Sequence, residues 1–380
     1  MPRPTGLTAR GVLGAVLLLA LPAVTLSAQP HSAAASQTSP VSAPMAVDVS
    51  GQPESERIPF AQRYQAVHHG GIVRAANSSI TCTSPTSTSG PSCTSARSGD
   101  GVNSDFEMYY IDQDDDPNTY NSSRARLAIP GNSTVTYARL YWGGNLLAGE
   151  QKPPEDNGRV LIAEQGGQYQ QVLADTRIAH RDADGADAFQ ASADITPLVR
   201  RAGSGLYTVA QINVAMGNST VGTWGGWTLV VAYENSTEPL RHLSLWDGFE
   251  ALGTDRESQE ISLSGLRVPA GAKGRAGFVS YDGDRGEKGD AVSVRADGAT
   301  AFGLTDTANP ATDVMNSTIT GPEGAISRQP AHANTLGYDS DVFDIGPALT
   351  AGGTRLTFRF DAGTGGYGLG VLFAQTDTRR

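Results

Sequence analysis

Residues 355–360 read Arg355-Leu356-Thr357-Phe358-Arg359-Phe360. Leu356, Phe358 and Phe360 alternate with Arg355, Thr357 and Arg359, the period of a strand with one buried face. The same period appears at Thr208, Ala210, Ile212, Val214 and Met216, which predict one face of a second strand. Residues 227–233 (WTLVVAY) are apolar on both faces and predict a central strand covered on both sides. Residues 160–163, 243–246, 261–263 and 278–281 read as further short strands between clusters of Gly, Asn, Asp and Pro. With 45 glycines to supply turns, this pattern predicts an all-β fold of antiparallel sandwich type with Gly/Asp-rich loops. One helical turn is expected, capped at Thr196, with Pro197 in its first position and Gly203 at its end.

An internal repeat shapes the expected domains. Residues 138–144 (ARLYWGG) parallel 277–283 (GFVSYDG), each with its aromatic, Trp142 or Tyr281, twelve positions after the proline of an Ile-Pro or Val-Pro pair. Residues 194–198 (DITPL) then parallel 344–349 (DIGPAL), and Gly226 onward (GWTLVVA) parallels Gly368 onward (GLGVLFA). The order predicts two tandem antiparallel sandwiches of jelly-roll or immunoglobulin type, at 58–238 and 239–380.

The start of the chain predicts export. Arg3 and Arg10 precede an apolar run at residues 11–21, and Leu26-Ser27-Ala28 forms a cleavage site. That is the three-part form of a signal peptide, 1–28, with an apolar run too short for a bilayer that needs about 20 residues. Residues 29–57, rich in Ala, Ser, Pro and Gln, read as a disordered linker. No later apolar stretch predicts a stable transmembrane segment, so the mature protein is expected outside the cell, free or held at its surface. The net charge of −11, more negative still once the leader and its two arginines are removed, argues against nucleic-acid and anionic-membrane partners. In an exported chain Cys82 and Cys93 predict a disulfide that closes a short loop.

Residues 138–144, 225–234 (GGWTLVVAYE), 246–249 (WDGF), 283–290 (GDRGEKGD) and 336–341 (LGYDSD) occur in that order. Together they resemble a domain of unknown function in exported surface proteins of high-GC Gram-positive bacteria. That domain often stands before tandem immunoglobulin-like repeats. The resemblance covers about residues 60–377 and implies a non-catalytic surface or adhesion module, with no catalytic residues to carry over.

Among candidate sites, Asp112, Asp114 and Asp116 alternate in one loop. Alternate carboxylates can converge on calcium, which takes six to eight oxygens, although the glycine and distal Glu of an EF-hand loop are missing. Asp282, Asp284, Glu287 and Asp290 interleave with Arg285 and Lys288, which predicts a turn held by ion pairs rather than a metal site. Asp339 and Asp341 form a third acidic pair. Trp224, in the Gly-rich stretch 222–226, is the tryptophan expected to be exposed and free to stack on a sugar ring. His68 and His69 read as surface residues near the start of the fold, aimed to opposite sides and so poor joint ligands. Lys152, Lys273 and Lys288, all in loop sequence, argue against an isopeptide crosslink. No G-x-S-x-G, H-E-x-x-H or G-K-[ST] motif is present. The leading expectation is therefore a secreted β-sandwich protein, structural or adhesive, binding a glycan or a cell-envelope component. The alternatives are a polysaccharide hydrolase using a carboxylate pair and a domain that packs against copies of itself.

Overall fold

Strands of alternating apolar residues dominate the computed structural model, which describes residues 52–322 and 324–379. The expected signal peptide and most of the expected linker lie outside these residues. The linker ends before residue 57, because Glu54–Ser55 pairs in parallel with Ile178 and Ala179.

The largest sheet has ten strands. In spatial order they are Glu54–Ser55, Ile178–Ala183, Ala186–Asp194, Thr134–Asn145, Gly225–Glu234, Ile58–Ser78, Leu240–Leu252, Tyr367–Asp377, Gly274–Tyr281 and Tyr338–Asp344. A five-stranded sheet orders Arg328–Gln329, Ser122–Leu127, Gly205–Ala210, Arg159–Glu164 and Gln170–Leu173. A four-stranded sheet orders Ser258–Val268, Gly353–Asp361, Ala291–Ala296 and Phe302–Gly303.

The segments matched by sequence take equivalent places in this order. Ala186–Asp194, Thr134–Asn145 and Gly225–Glu234 follow one another as Tyr338–Asp344, Gly274–Tyr281 and Tyr367–Asp377 do. Strand Ile58–Ser78 runs between the two sets. From Gly70 onward it pairs with Gly225–Glu234, and up to His69 it pairs with Leu240–Leu252. The sheet thus continues across the expected boundary at 238/239, and all the described residues belong to one compact unit. Gly70 sits where the partner changes. Its φ is +142° and a Cβ there would lie 2.0 Å from the Tyr233 carbonyl oxygen, so only glycine fits.

Residues 355–360 behave as read. Leu356, Phe358 and Phe360 are fully buried in strand Gly353–Asp361. They pack with Phe278 and Leu372 of the large sheet, each phenylalanine contributing about 1.5–3 kcal/mol by burial. Trp142, Trp227, Tyr207 and Ile162 form the corresponding core on the other half. Gly225–Glu234 is buried along nine of its ten residues, as a central strand requires. Alternate residues of these strands, among them Tyr141, Leu245, Val279 and Val371, build a third cluster.

Two local expectations differ. The strand expected through Met216 stops at Ala210, because Gln211 adopts φ +62°. Within the strand Tyr207 and Val209 enter the core and Thr208 lies on the other face, and past Gln211 the side chain of Ile212 joins Tyr207 and Val209 in the core. The expected helix forms at Thr196–Ala202, with Gly203 after it. Its cap is not the Thr196 hydroxyl, which accepts the Ala138 amide at 2.9 Å; the Asp194 carboxylate accepts the Thr196 amide at 2.8 Å instead.

Candidate binding cleft

The outward face of the five-stranded sheet carries a row of residues at right angles to the strands. Thr208 lies opposite Arg124 on one side and Ala163 on the other. Directly paired residues share a face, so these three form a floor. Loop 111–121 rises on one side and the turn 164–169 on the other. Together they enclose a cleft of about 400 Å³ lined by Asp114, Asp116, Arg124, Glu164, Gln168 and Tyr169 among others.

Loop 111–121 is stiffened by its own carboxylates. Asp112 Oδ1 accepts the Ser122 hydroxyl at 2.9 Å. Asp114 Oδ1 accepts the Asp116 amide and the Thr119 hydroxyl, both at 2.9 Å. Asp116 Oδ1 accepts the Asn118 amide at 3.0 Å and its side-chain Nδ2 at 2.7 Å. From across the cleft, the Tyr169 hydroxyl donates to Asp114 Oδ2. Burial raises the pKa of Asp114, but the hydrogen bonds from Tyr169, the Asp116 amide and Thr119 outweigh it and hold the carboxyl below its ordinary value. Glu164 Oε2 is buried without a hydrogen-bond partner.

The structure therefore brings Asp114 and Asp116 to one cleft and leaves Asp112 exposed at its edge. Asp114 uses both oxygens as acceptors, one for donors of its own loop and one for Tyr169, and Asp116 Oδ1 is taken by Asn118. Among the described residues no three His, Cys, Asp or Glu side chains are grouped to hold a metal. Arg124, Glu164 and Tyr169 escaped the sequence reading because only sheet register and a turn bring them to the loop. The one local signal was Gly166-Gly167, which marks the turn.

Trp224 must be corrected. It is 3 % exposed, packed in the third cluster, and a ring so enclosed cannot stack on a ligand. Its glycine neighbours, read as a sign of exposure, instead allow close approach: a Cβ on Gly226 would stand 2.7 Å from the Tyr338 ring, and across from them a Cβ on Gly337 would stand 2.7 Å from the Trp224 Cβ. His68 and His69 lie near the start of the fold as expected, but not as fully exposed surface residues. Both are half-buried in strand Ile58–Ser78 and border a second cavity, about 520 Å³, with Val67, Leu240, His242 and Arg267. Cys82 and Cys93 form the expected disulfide, with Cα atoms 5.6 Å apart. It anchors the short helix Cys93–Ser98, capped by the Ser92 side chain.

No family model matches the chain, and no curated protein matches it. Several solved structures show slight likeness, two of them as follows. One is the major capsid protein P2 from bacteriophage PM2, 12 % identical with a TM-score of 0.20, covering 81 % of this chain and 98 % of that one. The other is a peptide-N(4)-(N-acetyl-beta-D-glucosaminyl) asparagine amidase, 9 % identical with a TM-score of 0.21, covering 82 % and 97 %. Likenesses this slight bear on neither activity nor ligand. Among the described residues no helix is long and apolar enough to cross a membrane.

Proposed function

We propose that this chain is a secreted, non-catalytic protein of two fused β-sandwiches that binds a neutral, hydroxyl-rich ligand, a glycan of the cell envelope, in the cleft around Asp114, Arg124, Glu164 and Tyr169. The observation that carries the reading is the mixture lining that cleft. Carboxylate acceptors, a guanidinium donor, side-chain amides and one tyrosine ring surround about 400 Å³, within the range of small-molecule sites. Hydroxyl-rich rings need both donors and acceptors at their rim and an apolar surface against their faces. The disulfide and the basic-apolar leader support a place outside the cell. The matching strand order of the two halves supports two sandwiches sharing strand Ile58–Ser78. Hydrolysis is the weaker reading, since a glycosidase needs a carboxylic acid with a raised pKa, and Asp114 is held in the opposite direction.

The test is retention of the protein on a panel of insoluble polysaccharides and isolated cell envelope. The wild type is expected to be retained on at least one of them, with affinity about tenfold weaker in Arg124→Ala or Tyr169→Ala, the loss of about 1.4 kcal/mol. Equal retention of wild type and both variants, or release of reducing ends from the glycan, would overturn the proposal.

A further inference from the structure

The second cavity, about 520 Å³, lies where the large sheet meets the end of the four-stranded one. Val67 pairs with His242, and His69 with Leu240. Paired and alternate residues share a face, so these four make one patch of the large sheet. Over it stands the end of strand Ser258–Val268. Its register with Gly353–Asp361 shifts between Ser264 and Val268, and Gly265 takes φ +75°. This bulge releases Arg267 from the ladder. The Arg267 carbonyl then accepts the Thr378 hydroxyl at 3.0 Å and the Arg379 amide at 3.2 Å. The Thr378 amide donates to the Leu240 carbonyl at 3.0 Å. These bonds bring Arg267 and Arg379 together over the patch.

The lining runs against the charge of the whole chain, which has 39 acidic and 28 basic residues. Two guanidiniums line the cavity against one carboxylate, that of the exposed Glu234. Among the described residues neither the Arg267 nor the Arg379 side chain has an ion pair or a hydrogen bond. His242 is 5 % exposed, and its Nε2 lies 2.6 Å from Gln65 Nε2. An amide nitrogen donates, so this ring nitrogen accepts and the proton of the neutral ring sits on Nδ1. Nδ1 bonds to no described residue, and its N–H is left for a ligand.

We propose that this cavity binds a small ligand through a phosphate group, with an apolar part of the ligand resting on Val67 and Leu240. Guanidiniums grip phosphate with paired N–H donors. The His242 N–H adds a third donor from the floor, more than the two oxygens of a planar carboxylate require. Val67 is 55 % exposed, an apolar side chain that such a ligand covers. The volume suits a small molecule. The cavity shares no lining residue with the cleft around Asp114, so a change at one site leaves the other intact.

Titration calorimetry at low salt, with phenyl phosphate and benzoate as probes, tests the site. One equivalent of phenyl phosphate is expected to bind per chain, about tenfold or more tighter than benzoate, and to shift the ring-nitrogen resonances of His242. Arg267→Ala/Arg379→Ala should weaken that binding about tenfold or more. Both side chains are exposed, so this double variant is expected to keep the wild-type melting temperature. Arg267→Ala alone, expected to weaken binding severalfold, serves if it does not. Arg124→Ala, in the other cleft, should bind phenyl phosphate as the wild type does. No saturable binding by the wild type, equal binding of benzoate, or binding unchanged by loss of the two arginines overturns the proposal. So does binding lost in Arg124→Ala.

Discussion

Replacing Asp247 by alanine should remove about 3 kcal/mol of stability. Asp247, on strand Leu240–Leu252, is 5 % exposed. Arg63 reaches it with Nε and Nη2, both at 2.8 Å. The hydroxyl of Tyr141 donates to Oδ2 at 2.9 Å, and Arg139 Nε lies 3.7 Å from the same oxygen. Three strands of the large sheet are thereby tied at one carboxylate. Without it the fully buried Tyr141 hydroxyl loses its acceptor, a cost of about 1–3 kcal/mol. The Arg63 side chain is 32 % exposed and recovers part of its hydration, so its share is about 1 kcal/mol. Arg139 keeps Asp175 at 2.5 Å, yet it is 2 % exposed and one of its two neutralising charges is gone. The sum approaches the lower end of the 3–5 kcal/mol expected when a buried pair is broken on one side. Asp247→Asn keeps an acceptor for Tyr141 and should cost about half as much. Urea unfolding, followed by both far-UV circular dichroism and tryptophan fluorescence, measures the difference. The two probes should coincide if the continuous sheet unfolds cooperatively. A loss below about 1 kcal/mol for Asp247→Ala, or an equal loss for the asparagine variant, would refute the reasoning.

Two other perturbations probe separate links. Gly70→Ala places a Cβ against the Tyr233 carbonyl at a φ that L-residues avoid. It should cost at least about 2 kcal/mol or prevent folding, read from denaturation midpoints and soluble yield; a neutral substitution would mean the strand does not change partners there. Burial, assisted by Arg97 and Arg328, pushes His332 down to about 4 from 6.5. On acidification the unfolded chain takes up this proton first. The contribution of His332 should therefore be flat above pH 6.5 and fall as the pH drops from 6.5 to 4. After discount for its partial exposure the loss is about 1–2 kcal/mol. His332→Gln should flatten that part of the stability curve, and an unchanged slope would contradict the assignment.

The parts of the fold that sequence disclosed were those written in local alternation. Residues 355–360 and 225–234 carry their burial in their own order of side chains. Strand Ile58–Ser78 was not foreseen, because its exposed-and-buried pattern is irregular and a Gly pair interrupts it. Only the change of partner at Gly70 explains that interruption. The strand read from residue 208 to 216 ends at Ala210, since a single left-handed residue, Gln211, has no strong local signature. The same limit governs the cleft. Asp114 and Asp116 stand out as a run, but Arg124, Glu164 and Tyr169 meet them through pairings between segments far apart in the chain. Trp224 shows the converse error: glycines that read as looseness in sequence serve close packing in space.

The binding cleft is tested most directly by amide hydrogen exchange on the full protein, with and without a soluble fragment of whichever glycan retains it. The account predicts added protection in segments 111–121 and 163–170, with the rest of the chain unchanged. Protection confined to other segments, with these two left as they were, would contradict it.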